Sequence, residues 1–241
     1  MKGRVTDVSG NNGYTPADGQ LVSITNRNVS KKEKFRRRLK VKICGITNLC
    51  DALAAQKLGA DALGFVFYAK SPRHISPQFA KEIISQLNKR IKKVGVFVNP
   101  GVDYALRAAR LCGLDILQFH GDESPEFCGK FENYKVIKAF RIKDKDSFKD
   151  IRRYRADYYM FDTFRKGSYG GTGRRFDWSM FEDVNISKPF FLSGGLTAGN
   201  VAYAVKAARP DWIDVSSGLE ACPGKKDPRL LEEFMHKVRS I

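Results

Sequence analysis

Histidine and cysteine are scarce in this chain, and nowhere do they gather. Its 241 residues hold three histidines and five cysteines. The cysteines stand at positions 44, 50, 112, 128 and 222, with no Cys-x-x-Cys pair and no Cys/His spacing of a zinc site. An odd number of scattered thiols fits a reduced, cytoplasmic protein better than a disulfide framework. Long apolar runs are missing as well. None approaches the roughly 20 residues that cross a bilayer, and the N-terminus lacks the apolar centre of a secretory signal. Acidic residues are in deficit: 43 Lys/Arg against 26 Asp/Glu leave a formal charge of +17. That excess suits an anionic partner, either nucleic acid or a phosphorylated small molecule, and equally a solvated basic surface. Charge alone therefore does not choose a function.

What is present divides in two. Residues 1–40 contain the aperiodic stretch "SGNNGYTPADGQ" and the basic run "KKEKFRRRLK", with only Phe35 and Leu39 to bury in that run. This reads as a flexible N-terminal extension. From Val41 to the C-terminus a regular alternation sets in. The apolar runs are 41–44, 62–67, 94–98, 116–120, 135–140, 158–162, 189–193 and 212–216. Between them lie segments of helical period: Leu53, Ala54 and Leu58 on one face, then Ala80, Ile83, Ile84 and Leu87, then Val201, Ala204, Val205 and Ala208. Eight strand candidates, each followed by a helix candidate, imply a parallel sheet. In about 200 residues they suit an α/β fold of the (β/α)8 TIM-barrel type, with residues 41–241 as the catalytic domain. A doubly wound open sheet is the structural alternative.

In such a barrel the functional groups lie at the C-terminal strand tips. Those tips include Cys44, His120, Asp162, Ser193 and Ser216. Three glycine-rich loops follow the last three strands: "YGGTG" with Gly171, Thr172 and Gly173, "SGGL" with Ser193, Gly194 and Gly195, and "SSGLE" with Ser216, Ser217 and Gly218. Glycine lets backbone N–H groups approach an anion, so these loops read as a phosphate cradle. Asp162 ends the run Tyr158–Phe161, and apolar surroundings would raise its pKa, as suits a proton donor. Cys44 is either a buried small group or a base poised near neutral pH. Arg73, in "YAKSPRHIS", offers a donor fork for a carboxylate. His120 is read both as a substrate contact and as a satisfied rim histidine. His74 and His236 have no companions that suggest a site.

The motifs "KICGIT", "GFVFYAKSPRHIS", "VGVFVN", "LQFHGDE", "GGTGRRFDW", "FLSGGL" and "IDVSSGLEACPGKKD" resemble those of phosphoribosylanthranilate isomerase, in order from Val41 to near the C-terminus. The departures are small, such as Arg174 where the family often has lysine. The resemblance implies a (β/α)8 barrel of tryptophan biosynthesis that acts without metal or organic cofactor. It implies Cys44 as general base, Asp162 as general acid and Arg73 on the anthranilate carboxylate, with the glycine-rich loops on the phosphate. It also implies a phosphorylated small-molecule substrate, no nucleic-acid or membrane partner, and a monomer or homodimer. Closing the barrel sets the last strand beside the first. Lys42 should then point inward and pair with Asp214, one step below Cys44. Two rivals stay in view: another phosphate-binding barrel such as indole-glycerol-phosphate synthase or a metal-dependent epimerase, and an RNA binder led by the basic arm.

Overall fold

The computed structural model describes residues 38–163, 178–181 and 184–241. Eight parallel strands close on themselves: β1 (Lys40–Cys44), β2 (Ala62–Val66), β3 (Lys92–Phe97), β4 (Ile116–Phe119), β5 (Lys135–Ile142), β6 (Tyr158–Thr163), β7 (Phe190–Leu192) and β8 (Trp212–Val215). β8 pairs with β1 in the register that sets Lys42 opposite Asp214. The expected barrel is present, and the open-sheet alternative is not.

Strand alternation divides the core. Residues such as Leu63, Phe65, Leu117, Phe119, Phe161 and Ile213 face outward and are buried under the helices. Inward-facing Ala62, Val94, Ile116, Met160, Phe191 and Trp212 fill the lower barrel. Above them the interior turns polar, with Lys42, Gln118, Asp162 and Asp214 all buried. The fold thereby places its polar side chains at the end where the strands finish.

The outer layer is less regular than the alternation predicts. Among the described residues, full helices directly follow β1, β2, β3 and β7: α1 (Leu49–Lys57), α2 (Pro77–Ser85), α3 (Val102–Cys112) and α5 (Val201–Ala208). β4 is followed by the single turn α4 (Pro125–Cys128). After β5 come two 3-10 turns, Lys145–Phe148 and Ile151–Arg153, in place of the expected helix. That segment offers only Phe148 and Ile151 for burial in those turns, while Asp144 and Ser147 close a capping box that favours one short turn. After β6 the described residues hold the 3-10 turn Trp178–Phe181. β8 runs into a 3-10 turn (Ser217–Leu219), a two-stranded hairpin of β9 (Glu220–Cys222) and β10 (Lys225–Lys226), and then α6 (Pro228–Arg239).

α1 corrects a second expectation. Its buried residues are Ala52 and Ala55, while Leu53 is 39% exposed. Small side chains let the helix lie close to the sheet, and Leu53, one position round, points away. Among the described residues no helix is long and apolar enough to cross a membrane.

Candidate active site

The site begins with Lys42 and Cys44, two residues apart on β1 and both turned into the barrel. Lys42 is fully buried, and its Nζ donates to Asp214 Oδ1 at 2.7 Å. The pairing expected from barrel closure is therefore present. Burial alone would lower the Lys42 pKa, but Asp214 and Cys44 together outweigh it and leave the ammonium above its ordinary value. The opposite balance holds for Cys44. Burial pushes the thiol above its ordinary value, and Lys42 offsets that only in part. These surroundings hold the thiol up rather than poise it near neutral pH, one of the two sequence expectations.

Gly64 on β2 makes room for both groups. A Cβ there would stand 2.7 Å from Cys44 Sγ and 3.0 Å from Lys42 Nζ. Sequence reasoning passed over this glycine, although glycine inside the strand run "ALGFVF" is itself a sign of close approach.

Asp162 sits at the tip of β6, three strands round the ring from β1. It is 3% exposed. Its setting is more polar than the flanking aromatics suggested, because Tyr159 and Phe161 face out of the barrel into the core under the helices. Asp162 Oδ2 lies 3.1 Å from His120 Nε2, and Gln118 Nε2 lies 2.9 Å from His120 Nδ1. With the amide donating to Nδ1, Nε2 carries the hydrogen and donates to Asp162. His120 thus neighbours the carboxyl group and also lines the cavity of the site.

Both groups open into one cavity of about 410 Å3 at the C-terminal end of the barrel. Arg73 lines it from the loop after β2, and its fork is already engaged by Glu220. The loops of β7 and β8 line the same cavity. Ser193, Gly194 and Gly195 form one lip, with positive φ at both glycines (96° and 64°). Ser193 N–H donates to the carbonyl of Phe161 at 2.9 Å, whereas the N–H groups of Gly194 and Gly195 meet no acceptor among the described residues, an arrangement that suits an anion. Ser216, Ser217 and Gly218 form the other lip. Asp214 also borders the cavity, but Lys42 and Ser193 Oγ occupy its oxygens. Gly171, Thr172 and Gly173 lie outside the described residues. Val66, Val96 and Val98 supply an apolar wall beside Cys44 that the sequence reading did not single out.

The comparisons with known proteins bear on this geometry. Residues 41–237 match the family model described as N-(5'phosphoribosyl)anthranilate (PRA) isomerase. The chain belongs to the phosphoribosylanthranilate isomerase family. A Geobacter sulfurreducens N-(5'-phosphoribosyl)anthranilate isomerase is 46% identical over 201 residues, which cover 83% of this chain and 98% of the relative. The crystal structure of phosphoribosyl anthranilate isomerase from Thermotoga maritima superposes with a TM-score of 0.79 at 40% identity, covering 84% of this chain and all of that one. A further isomerase structure, in complex with reduced 1-(o-carboxyphenylamino)-1-deoxyribulose 5-phosphate, gives 0.75 at 39% identity over the same shares. Family membership makes this chain an isomerase of tryptophan biosynthesis.

Proposed function

We propose that the chain converts N-(5'-phosphoribosyl)anthranilate to 1-(2-carboxyphenylamino)-1-deoxyribulose 5-phosphate, with Asp162 as general acid and Cys44 as general base. The observation that carries this reading is the single cavity into which both groups open, between Arg73 and the glycine lips of β7 and β8. In this pose the glycine lips take the phosphate, Arg73 takes the ring carboxylate, and the aromatic ring rests along Val66 and Val96.

The chemistry is an Amadori rearrangement. Asp162 gives its proton to the ribose ring oxygen, the C1–O bond breaks, and the nitrogen lone pair forms a C1=N iminium. Cys44 thiolate then removes the C2 hydrogen, and the C–H electrons move to neutralise the iminium. The resulting enolamine tautomerises to the ketone. Burial pushes the Cys44 thiol up, and Lys42 already offsets part of that. The iminium adds a second cation beside the sulfur, next to Lys42, and opposite charges favour the thiolate.

The test follows loss of substrate fluorescence on purified protein. Cys44→Ala and Asp162→Asn should each lower kcat by roughly 10²–10⁴-fold while the protein stays folded. Near-full turnover by either variant would overturn the assigned role.

A further inference from the structure

The hairpin between β8 and α6 takes no part in the reaction above, yet it holds a dense knot of buried charge. The side chains of Glu220 and Lys226 are 4% and 1% exposed. Charged groups are seldom buried so fully unless they are paired. Glu220 receives Arg73 as a fork, with Nε at 2.8 Å from Oε1 and Nη2 at 2.6 Å from Oε2. Oε1 also accepts from Lys226 Nζ at 2.8 Å and from Ser216 Oγ at 3.4 Å. Lys226 Nζ donates in addition to the backbone carbonyls of Cys44 at 2.6 Å and Ser216 at 3.3 Å. Burial works against ionisation of Glu220, but Arg73 and Lys226 outweigh it and hold the carboxyl below its ordinary pKa.

Two consequences follow from this knot. Two of the three guanidinium nitrogens of Arg73 are turned onto Glu220, and Nη1 keeps no acceptor among the described residues. The same ammonium that backs Glu220 also holds the carbonyl of Cys44, so one network fixes the tip of β1 and the guanidinium at the cavity wall. Gly45 completes the seat: a Cβ there would stand 2.7 Å from Arg73 Cδ.

We infer that Glu220, backed by Lys226, is a positioning residue that aims Arg73 and thereby sets selectivity for a ligand carrying a carboxylate on its aromatic ring. This rests on the proposed contact between Arg73 and that carboxylate. A free arginine side chain would have to be ordered anew by each arriving ligand, whereas here the ordering is complete beforehand. A simple counter-ion for Lys226 would need no fork to Arg73.

The experiment measures binding of two probes, the reduced product analogue 1-(o-carboxyphenylamino)-1-deoxyribulose 5-phosphate and its counterpart without the ring carboxylate. In Glu220→Gln, affinity for the carboxylated probe should fall by at least about tenfold, the scale of a lost charge-assisted hydrogen bond. Affinity for the other probe should be retained, and the loss in kcat/KM should appear mainly in KM. The double variant Glu220→Gln/Lys226→Met should keep this selective defect. Its restoration to normal selectivity would show that Glu220 serves only Lys226, and equal loss on both probes would show a general structural role. Either result overturns the inference. Wild-type protein that binds the two probes equally would instead overturn the Arg73 contact beneath it. Should Glu220→Gln fail to fold, Glu220→Asp keeps the charge but withdraws the fork by one methylene. The same selective loss is expected there, and unchanged selectivity would overturn the inference.

Discussion

At the scale of single residues, the barrel interior tolerates a cation because every nearby choice accommodates it. Lys42 is buried with Asp214 as its direct partner, and Ser193 takes the other Asp214 oxygen. Breaking such a pair from one side leaves an uncompensated charge and typically costs about 3–5 kcal/mol. The space for this pair and for Cys44 comes from the missing side chain of Gly64. Gly64→Ala would place a methyl group 2.7 Å from the Cys44 sulfur. The thiol and ammonium must then shift, which should cost about 1–3 kcal/mol of stability, as overpacking does. Because Arg73 and the glycine lips stay in place, kcat should fall more than KM rises. Steady-state kinetics beside a denaturant titration checks both parts.

Among the elements, α6 shows how one helix end supports the site's surroundings. Pro228 occupies its first turn, and Asp227 Oδ1 accepts from the N–H groups of Arg229 at 2.8 Å and Leu230 at 3.2 Å. One face of the helix buries Leu231, Phe234, Met235 and Val238. Asp227 follows directly on Lys226, so the cap also marks where the charged hairpin joins the helix. Asp227→Ala removes both acceptances and should cost about 1 kcal/mol. For a domain of this size that corresponds to a fall in Tm of about 2–4 °C. Calorimetry measures it. A Tm equal to that of the parent would mean that tertiary packing alone fixes the start of α6. The 3-10 turns after β5 teach the converse point: where only Phe148 and Ile151 are available to bury, no full helix forms over the strand.

For the whole molecule, the buried thiols set an alkaline limit. Burial raises Cys112 and Cys128 from 9.0 to about 11 each, and it raises Cys44 as well. Between those values the unfolded chain releases thiol protons that the folded chain retains. Fewer protons on the unfolded state make the slope of stability against pH negative. The thiol contribution is therefore intact below about pH 9 and lost as pH rises towards 11. Urea midpoints across that window should fall with pH, and Cys112→Ala should flatten the descent. A parent and a variant with parallel curves would refute the assignment. At acid pH the sign reverses: Glu220 and Asp115 have carboxyl groups held below their ordinary values, so stability is lost as they take up protons.

The amino-acid sequence by itself determined the eight strands of the parallel sheet and, once the sheet is taken as closed, the inward direction of Lys42, Cys44 and Asp214; it left the open sheet as an alternative and did not show the β9–β10 hairpin. Period-2 alternation and the glycine-rich strand ends are local patterns, and a closed ring adds the single long-range fact that the last strand adjoins the first. Lys42 and Asp214 could be matched on those grounds alone. Only the tertiary structure decided what surrounds the reactive groups. Arg73 and Glu220 are 147 positions apart, and no periodicity connects a loop after β2 to a hairpin after β8. The same holds for Gly64 under Cys44, for His120 beside Asp162, and for the burial that raises the Cys44 thiol. Desolvation and side-chain partnership depend on which distant segments pack together, and that is a property of the folded chain rather than of any stretch of its sequence.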